Sequence, residues 1–251
     1  MSDELRGKIA FITGAAGSGI GRATAFRLAR DGASVIVTDI HAERTARTVN
    51  AIKEEIGAPV VGYTLDVSDR NAIEQVFSVA STDVGDIDIL INNAAINAVE
   101  PVEAMTMRDW DTTLEADLRG PFDLIRRCLP AMKRNGWGSI VNITSVAAFT
   151  SPSGEAPYAA SKSALHSLTR TIAAEVGPYG IRCNSIAPGL VWTKFLEKHV
   201  DLFTPEIERT PLRRFGQPED VAEVVGFLVS EQSRFITGET LVVSGGWYMS
   251  S

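Results

Sequence analysis

The stretch Lys8-Ile9-Ala10-Phe11-Ile12-Thr13-Gly14-Ala15-Ala16-Gly17-Ser18-Gly19-Ile20-Gly21 decides the fold. A short apolar run enters a glycine-rich turn, and a helical pattern follows. Ile20, Thr24 and Leu28 recur at i, i+4, i+8 beside Ala25 and Ala29, with Arg22 and Arg27 on the other side. Glycine permits a tight turn and lets backbone N–H groups approach a diphosphate, while the helix N-terminus adds donors and positive dipole. A glycine-rich turn alone can be only a turn. Here a strand precedes it and a helix follows, the context a phosphate cradle requires. Gly14, Gly17, Ser18, Gly19, Ile20 and Gly21 are therefore candidate cofactor-binding residues.

Outward from this unit the pattern repeats. Apolar, β-branched runs occur at Lys8–Thr13, Ser34–Thr38, Pro59–Leu65, Ile87–Asn92, Ser139–Thr144, Ile181–Ala187 and Thr240–Val243. Most are continuously apolar, as strands buried on both faces of a parallel sheet read. Helical stretches fall between them at Gly19–Arg30, Ala42–Glu55, Arg70–Ser81, Met107–Arg134, Pro157–Val176 and Pro218–Val229. This alternation predicts an α/β fold: a doubly wound, mostly parallel, seven-stranded sheet with helices on both faces, in one domain over 1–251. Leu190–Gly216 breaks the rhythm with scattered aromatics, Pro205 and Pro211. It reads as a lid over a substrate, or as a structural excursion or oligomer contact.

Composition closes other routes. The 251 residues are 45% apolar and 22% charged, with a net charge of -7, an ordinary globular balance without a basic patch for nucleic acid or an anionic membrane. Cys128 and Cys183 read as two buried thiols, and the three histidines His41, His166 and His199 lack metal-ligand spacing. No apolar run nears the ~20 residues of a membrane span. The polar start, Met1-Ser2-Asp3-Glu4-Leu5-Arg6, does not read as a signal peptide, so a cytoplasmic location is expected.

Asp39 ends the second apolar run, 20 residues after Gly19. A carboxylate there accepts hydrogen bonds from ribose hydroxyls and repels a 2′-phosphate, which favours NAD over NADP. His41 and Arg44 follow closely and could soften that preference. A helix-capping role for Asp39 is compatible with it.

Tyr158 and Lys162 stand at i, i+4 on a helix, so phenol and ammonium share a face. A tyrosine phenol is a poor base at neutral pH, and a nearby cation stabilises its ionised form by about 4 kcal/mol at about 4 Å and an effective dielectric near 20. Ser145 follows the strand Ser139–Thr144, at the strand end where doubly wound sheets bind ligands. It can hold a substrate oxygen or simply make a turn.

With these residues in order, the chain resembles the short-chain dehydrogenase/reductase family from about Lys8 to Gly246, in its short single-domain branch with a Rossmann-type sheet. The motifs are the Thr13–Gly21 loop, Asp66-Val67, Asn92-Asn93-Ala94-Ala95, Ser145, Tyr158 with Lys162, and Pro188-Gly189 followed by Thr193. The resemblance implies that Tyr158 transfers the substrate proton, Ser145 orients the substrate oxygen and Lys162 binds the nicotinamide ribose. It implies that Asp66 and Val67 contact adenine. Ile40 would sit beside Asp39, and Asn93, Ala94 and Ala95 would line the adenosine side. Pro188, Gly189, Val191 and Thr193 would cover the nicotinamide. It further implies a homotetramer and a partly apolar pocket near Ala95, Ile96, Ala147, Phe149, Trp192 and Phe195, with Glu155 and His199 as polar candidates.

Four features depart from the family pattern. The glycine loop has one extra residue, because Ala15-Ala16-Gly17-Ser18 separate Gly14 from Gly19. Ser244 replaces the usual Asp before the C-terminal Gly-Gly, and Asn-Asn-Ala-Gly reads Asn-Asn-Ala-Ala. Asp117 stands where the family usually has an Asn that holds a water chain to the lysine. Its charge would partly cancel that of Lys162, so an alkaline activity optimum is expected.

The sequence thus predicts an NAD-dependent oxidoreductase moving hydride between the nicotinamide and a secondary alcohol or ketone. An NADPH-dependent reductase of 3-oxoacyl thioesters is the alternative enzyme. A non-catalytic dinucleotide-binding sensor is the alternative class, and Asp117 is its sole support.

Overall fold

The computed structural model describes residues 3–192 and 200–249. Seven parallel strands form one sheet in the order β3-β2-β1-β4-β5-β6-β7: β1 Ile9–Ile12, β2 Ser34–Asp39, β3 Val60–Thr64, β4 Ile89–Asn92, β5 Gly138–Ile143, β6 Ile181–Pro188 and β7 Thr240–Val243. Every expected strand is present, within two residues at each end.

Side-chain alternation divides the core in two. Ala10 and Ile12 face one layer, built from α1 (Ile20–Arg30), α2 (Ala42–Glu55) and α9 (Pro218–Val229). Phe11 faces the other, built from α3 (Arg70–Asp83), α5 (Gly120–Asn135) and α7 (Ala156–Val176). On α1, Thr24 and Leu28 are fully buried, as their spacing predicts. Arg27, expected to face solvent, instead bonds Asp31 at 3.0 Å and the Glu223 carboxylate of α9. Gly226 makes room for it: a Cβ there would lie 2.6 Å from the guanidinium.

One expectation needs correction. Met107–Arg134 is not one helix. It is α4 (Met107–Leu114), a wide π turn at Glu115–Arg119, and α5. Pro121 has no N–H to return to the Asp117 carbonyl, and the helix widens there. Leu190–Gly216, the segment that breaks the rhythm, carries some regular structure. Val191 pairs in parallel with Gly216, and Val200–Arg209 forms α8. Within the segment, Thr193, Phe195 and His199 lie outside the described residues.

Strand order reverses between β1 and β4, so the crossovers diverge there and leave a crevice at the carboxyl ends of the strands. Thr13, Asp39, Asp66, Asn93, Ser145 and Gly189 all follow or end strands at that edge.

Candidate active site

The crevice is stitched from both sides. Thr13 Oγ1 accepts from the Asn93 and Ala94 amides at 2.9 and 3.0 Å. Asn93 Nδ2 donates back to Thr13 O and Gly14 O at 2.9 and 3.0 Å. Thr13 is a contributor that sequence reasoning did not single out, although it opens the motif. Gly14 takes φ +62, and a Cβ on it would lie 2.8 Å from the Ala94 Cα. This is why the β1 turn needs glycine there.

The extra loop residue is absorbed by β2. Ala15 and Ala16 are buried; the Ala15 amide donates to Thr38 O at 2.9 Å and the Ala16 amide to Asp39 Oδ2 at 3.2 Å. Among the described residues nothing takes the amides of Gly17, Ser18 and Gly19. A Cβ on Gly19 would meet nothing within 4 Å, so open space borders these donors at the N-terminus of α1. That arrangement fits a diphosphate.

Asp39 also accepts from the His41 amide at 3.1 Å, so it closes the β2–α2 turn as well as the loop. It lines a cavity of about 520 Å³ with Gly14, Ile40, Arg44, Asp66, Val67 and Asn93–Ile96. Asp66 Oδ1 accepts from the Ser68 amide and hydroxyl at 2.9 and 2.6 Å. The carboxylate that caps α3 is Asp69, which accepts from the Asn71 and Ala72 amides. The cavity is large enough, and its rim polar enough, that it could hold an adenosine moiety.

A second cavity of about 220 Å³ continues along the strand ends. It gathers Ile20, Asn93, Ala95, Ile143, Thr144, Ser145, Tyr158, Lys162, Pro188, Gly189 and Val191. Ser145 Oγ accepts from the Ala147 amide at 3.1 Å, which leaves its O–H proton to point elsewhere. Tyr158 and Lys162 descend from α7, with the ammonium 5.3 Å from the phenol ring centroid. Lys162 is 2% exposed and donates to Ile143 O at 3.4 Å. Gly189 is pressed against the end of β7: its amide donates to Val243 O at 3.0 Å, and a Cβ would lie 2.8 Å from Ser244. Ser244 itself ties the C-terminal turn, donating to Tyr248 O at 3.0 Å.

Asp117 lies in the π turn, fully buried, with Oδ2 3.2 Å from Lys162 Nζ as an ion pair outside hydrogen-bond alignment. Its Oδ1 accepts from the Ile96 amide at 2.9 Å. Burial pushes this carboxyl above the ordinary carboxylate range, against the pull of Lys162. Both cysteines are buried and unbridged, and burial pushes the Cys183 thiol up to about 12.

The family model described as enoyl-(acyl carrier protein) reductase matches residues 14–248. The chain is 39% identical over 245 residues to the 3-oxoacyl-[acyl-carrier-protein] reductase FabG of Thermotoga maritima, covering 96% of this chain and 98% of that one. It is 39% identical over 250 residues to human dehydrogenase/reductase SDR family member 4, covering 97% and 88%. The chain belongs to the short-chain dehydrogenase/reductase family. A crystal structure of NAD+-bound xylitol dehydrogenase superposes with a TM-score of 0.91 at 32% identity, over 97% of this chain and 100% of that one. As a member of this family the chain is an oxidoreductase acting on CH–OH or carbonyl groups. Among the described residues no helix is long and apolar enough to cross a membrane.

Proposed function

We propose that this short-chain dehydrogenase/reductase is NAD-dependent and interconverts a secondary alcohol and its ketone, with Tyr158 as the acid/base. The observation that carries the reading is the convergence of Ser145, Tyr158 and Lys162 on one small cavity at the strand ends. Ser145 holds the substrate oxygen through its O–H. Tyr158 takes the hydroxyl proton during oxidation and returns one during reduction, and the Lys162 ammonium stabilises the phenolate electrostatically. A nicotinamide dinucleotide bound in the crevice supplies the hydride acceptor or donor. Gly17, Ser18 and Gly19 would hold its diphosphate, Asp39 and Asp66 its adenosine side, and Pro188 and Gly189 its nicotinamide side. NAD is favoured because a 2′-phosphate beside the Asp39 carboxylate meets charge repulsion.

The test is Tyr158→Phe in a screen of secondary alcohols with NAD, read at the nicotinamide absorbance. Turnover should fall by at least about a hundredfold while dinucleotide binding is retained. Unchanged turnover would instead favour a non-catalytic dinucleotide sensor.

One observation favours a second reading. Arg44 is exposed and lines the cavity beside Asp39, where it could receive a 2′-phosphate. With a 3-oxoacyl reductase among the relatives, an NADPH-dependent reductase of 3-oxoacyl thioesters is the alternative. Titrating both dinucleotides separates them, since tighter binding of the 2′-phosphorylated form overturns the NAD assignment. A homotetramer is the assembly that the family resemblance implies, and light scattering would test it.

A further inference from the structure

The stripe on α7 that carries Tyr158 and Lys162 continues one turn further to His166. The mechanism above makes no use of this residue, yet it is 6% exposed and contacts Thr144, which lines the small cavity. Its Nε2 is 2.8 Å from Thr144 Oγ1, and Thr144 Oγ1 donates to Ile186 O at 2.8 Å. The hydroxyl has one proton, and that proton is directed to Ile186. The imidazole therefore donates through Nε2–H. Its ring also packs on Phe149, with centroids 4.8 Å apart. Phe149 also stacks on the ring of Tyr248, with centroids 4.7 Å apart.

These contacts bracket Ser145. Thr144 precedes it, and Phe149 lies in the short helix α6 (Ala147–Thr150) that follows it. Two neighbours on α7 grip the same segment: Lys162 Nζ donates to Ile143 O, and Ser163 Oγ donates to Ala148 O at 2.8 Å. The helix bearing the phenol thus holds the Ser145 turn on both sides, and His166 contacts both ends of it.

We infer that His166 is a positioning residue for Ser145, holding its hydroxyl at working distance from the Tyr158 phenol through hydrogen bonding to Thr144 and ring packing on Phe149. The inference rests on the proposed role of Ser145. It adds a residue that touches neither substrate nor cofactor. A neutral imidazole suits this position, because burial first, and then the charges of Arg170 and Lys162 on the same helix, disfavour a positive ring there.

The test is a double-mutant cycle with His166→Phe, which keeps a ring on Phe149 but removes the donor, and Ser145→Ala. The assay uses the fastest-reacting member of a panel of 2-butanol, cyclohexanol, xylitol and 3-hydroxybutyryl-CoA. His166→Phe should lower kcat by about tenfold in the native background and by less than about twofold in Ser145→Ala, because displacing a group by about an ångström matters only if that group acts. Dinucleotide affinity should stay within about twofold in both backgrounds. His166→Gln, whose amide nitrogen can replace Nε2, should recover most of the loss. An equal loss in both backgrounds, or a fall in melting temperature with kcat untouched, overturns the inference.

Hydrogen exchange asks the same question without turnover. The amides of Ala148 and Phe149, bonded to Ser145 O and Val146 O, should lose protection in His166→Phe while those of α1 keep theirs. Unchanged protection overturns the inference. Tyr158→Phe remaining active would instead sink the functional reading, which is a separate outcome.

Discussion

Asp117 and Lys162 form an ion pair with both side chains closed to solvent, carboxylate Oδ2 to ammonium Nζ 3.2 Å. The pair adjoins the cavity proposed for catalysis, so the cation beside Tyr158 arrives already partly compensated. The same carboxylate ties the Ile96 amide, which belongs to the loop lining the cavity proposed for adenosine. One residue thus pairs with the lysine and anchors a residue that lines the larger cavity.

Asp117→Asn separates those duties. The amide oxygen can still accept from Ile96, but the negative charge is gone. With the ammonium uncompensated, the phenolate is better stabilised. The rise of alcohol-oxidation rate with pH should therefore move to lower pH. Breaking a buried pair costs about 3–5 kcal/mol, so the melting temperature should fall as well. Superimposable pH–rate profiles for the two proteins would sink the electrostatic argument.

The glycine loop yields a contrast between two substitutions. A Cβ on Gly21 would run into Asn93 Nδ2 and Gly14 O, the atoms that close the crevice. Gly21→Ala should destabilise the fold by about 1–3 kcal/mol, as overpacking does. A Cβ on Gly19 meets nothing and projects into the space proposed for the diphosphate. Gly19→Ala should leave the melting temperature nearly unchanged and weaken NAD binding by at least about tenfold, read by calorimetry. Equal effects of the two on both measurements would remove the phosphate cradle from the account.

The parts of the fold legible in the sequence were those set by repeating local chemistry. Ile9–Ile12 and Ile89–Asn92 are buried on both faces, so their runs are continuously apolar. Tyr158 and Lys162 share a helix, so their spacing alone aligned them. What escaped is set by contacts distant in sequence. The role of Ala16 depends on Asp39, 23 residues away, accepting its amide. His166 meets Thr144 across 22 residues. Helix α8 was hidden because Pro205 and Pro211 read as loop residues, although Pro205 sits inside the helix. The π turn did leave a signal, Gly120-Pro121, inside a pattern otherwise read as one continuous helix.

Asp39 carries a structural load that complicates any attempt to change cofactor preference. It accepts from both the Ala16 and His41 amides. Asp39→Ala removes the repulsion toward a 2′-phosphate and also frees the loop and the turn. The ratio of NADP+ to NAD+ affinity should rise by at least about tenfold, while stability falls by about 1 kcal/mol for the lost bonds. Affinities from fluorescence titration and a urea midpoint test both halves. A changed ratio with unchanged stability would mean that Asp39 acts only on the cofactor.

His166 makes an acid-stability prediction independent of turnover. Burial first, then the charges of Arg170 and Lys162, lower its pKa from 6.5 to about 4. The folded protein keeps the ring neutral down to about pH 4, whereas the unfolded chain protonates it below 6.5. The unfolded state therefore binds more protons across that window, and stability drops as pH falls through it. A difference of that size corresponds to about 3 kcal/mol by pH 4, on top of whatever the carboxylates contribute. His166→Gln cannot titrate, so its urea midpoint should fall less between about pH 7 and about pH 4.5 than that of the native chain. Parallel losses in the two proteins would show that His166 takes up its proton as readily in the folded state as in the unfolded chain, and the buried, neutral imidazole beneath Ser145 would have to be abandoned.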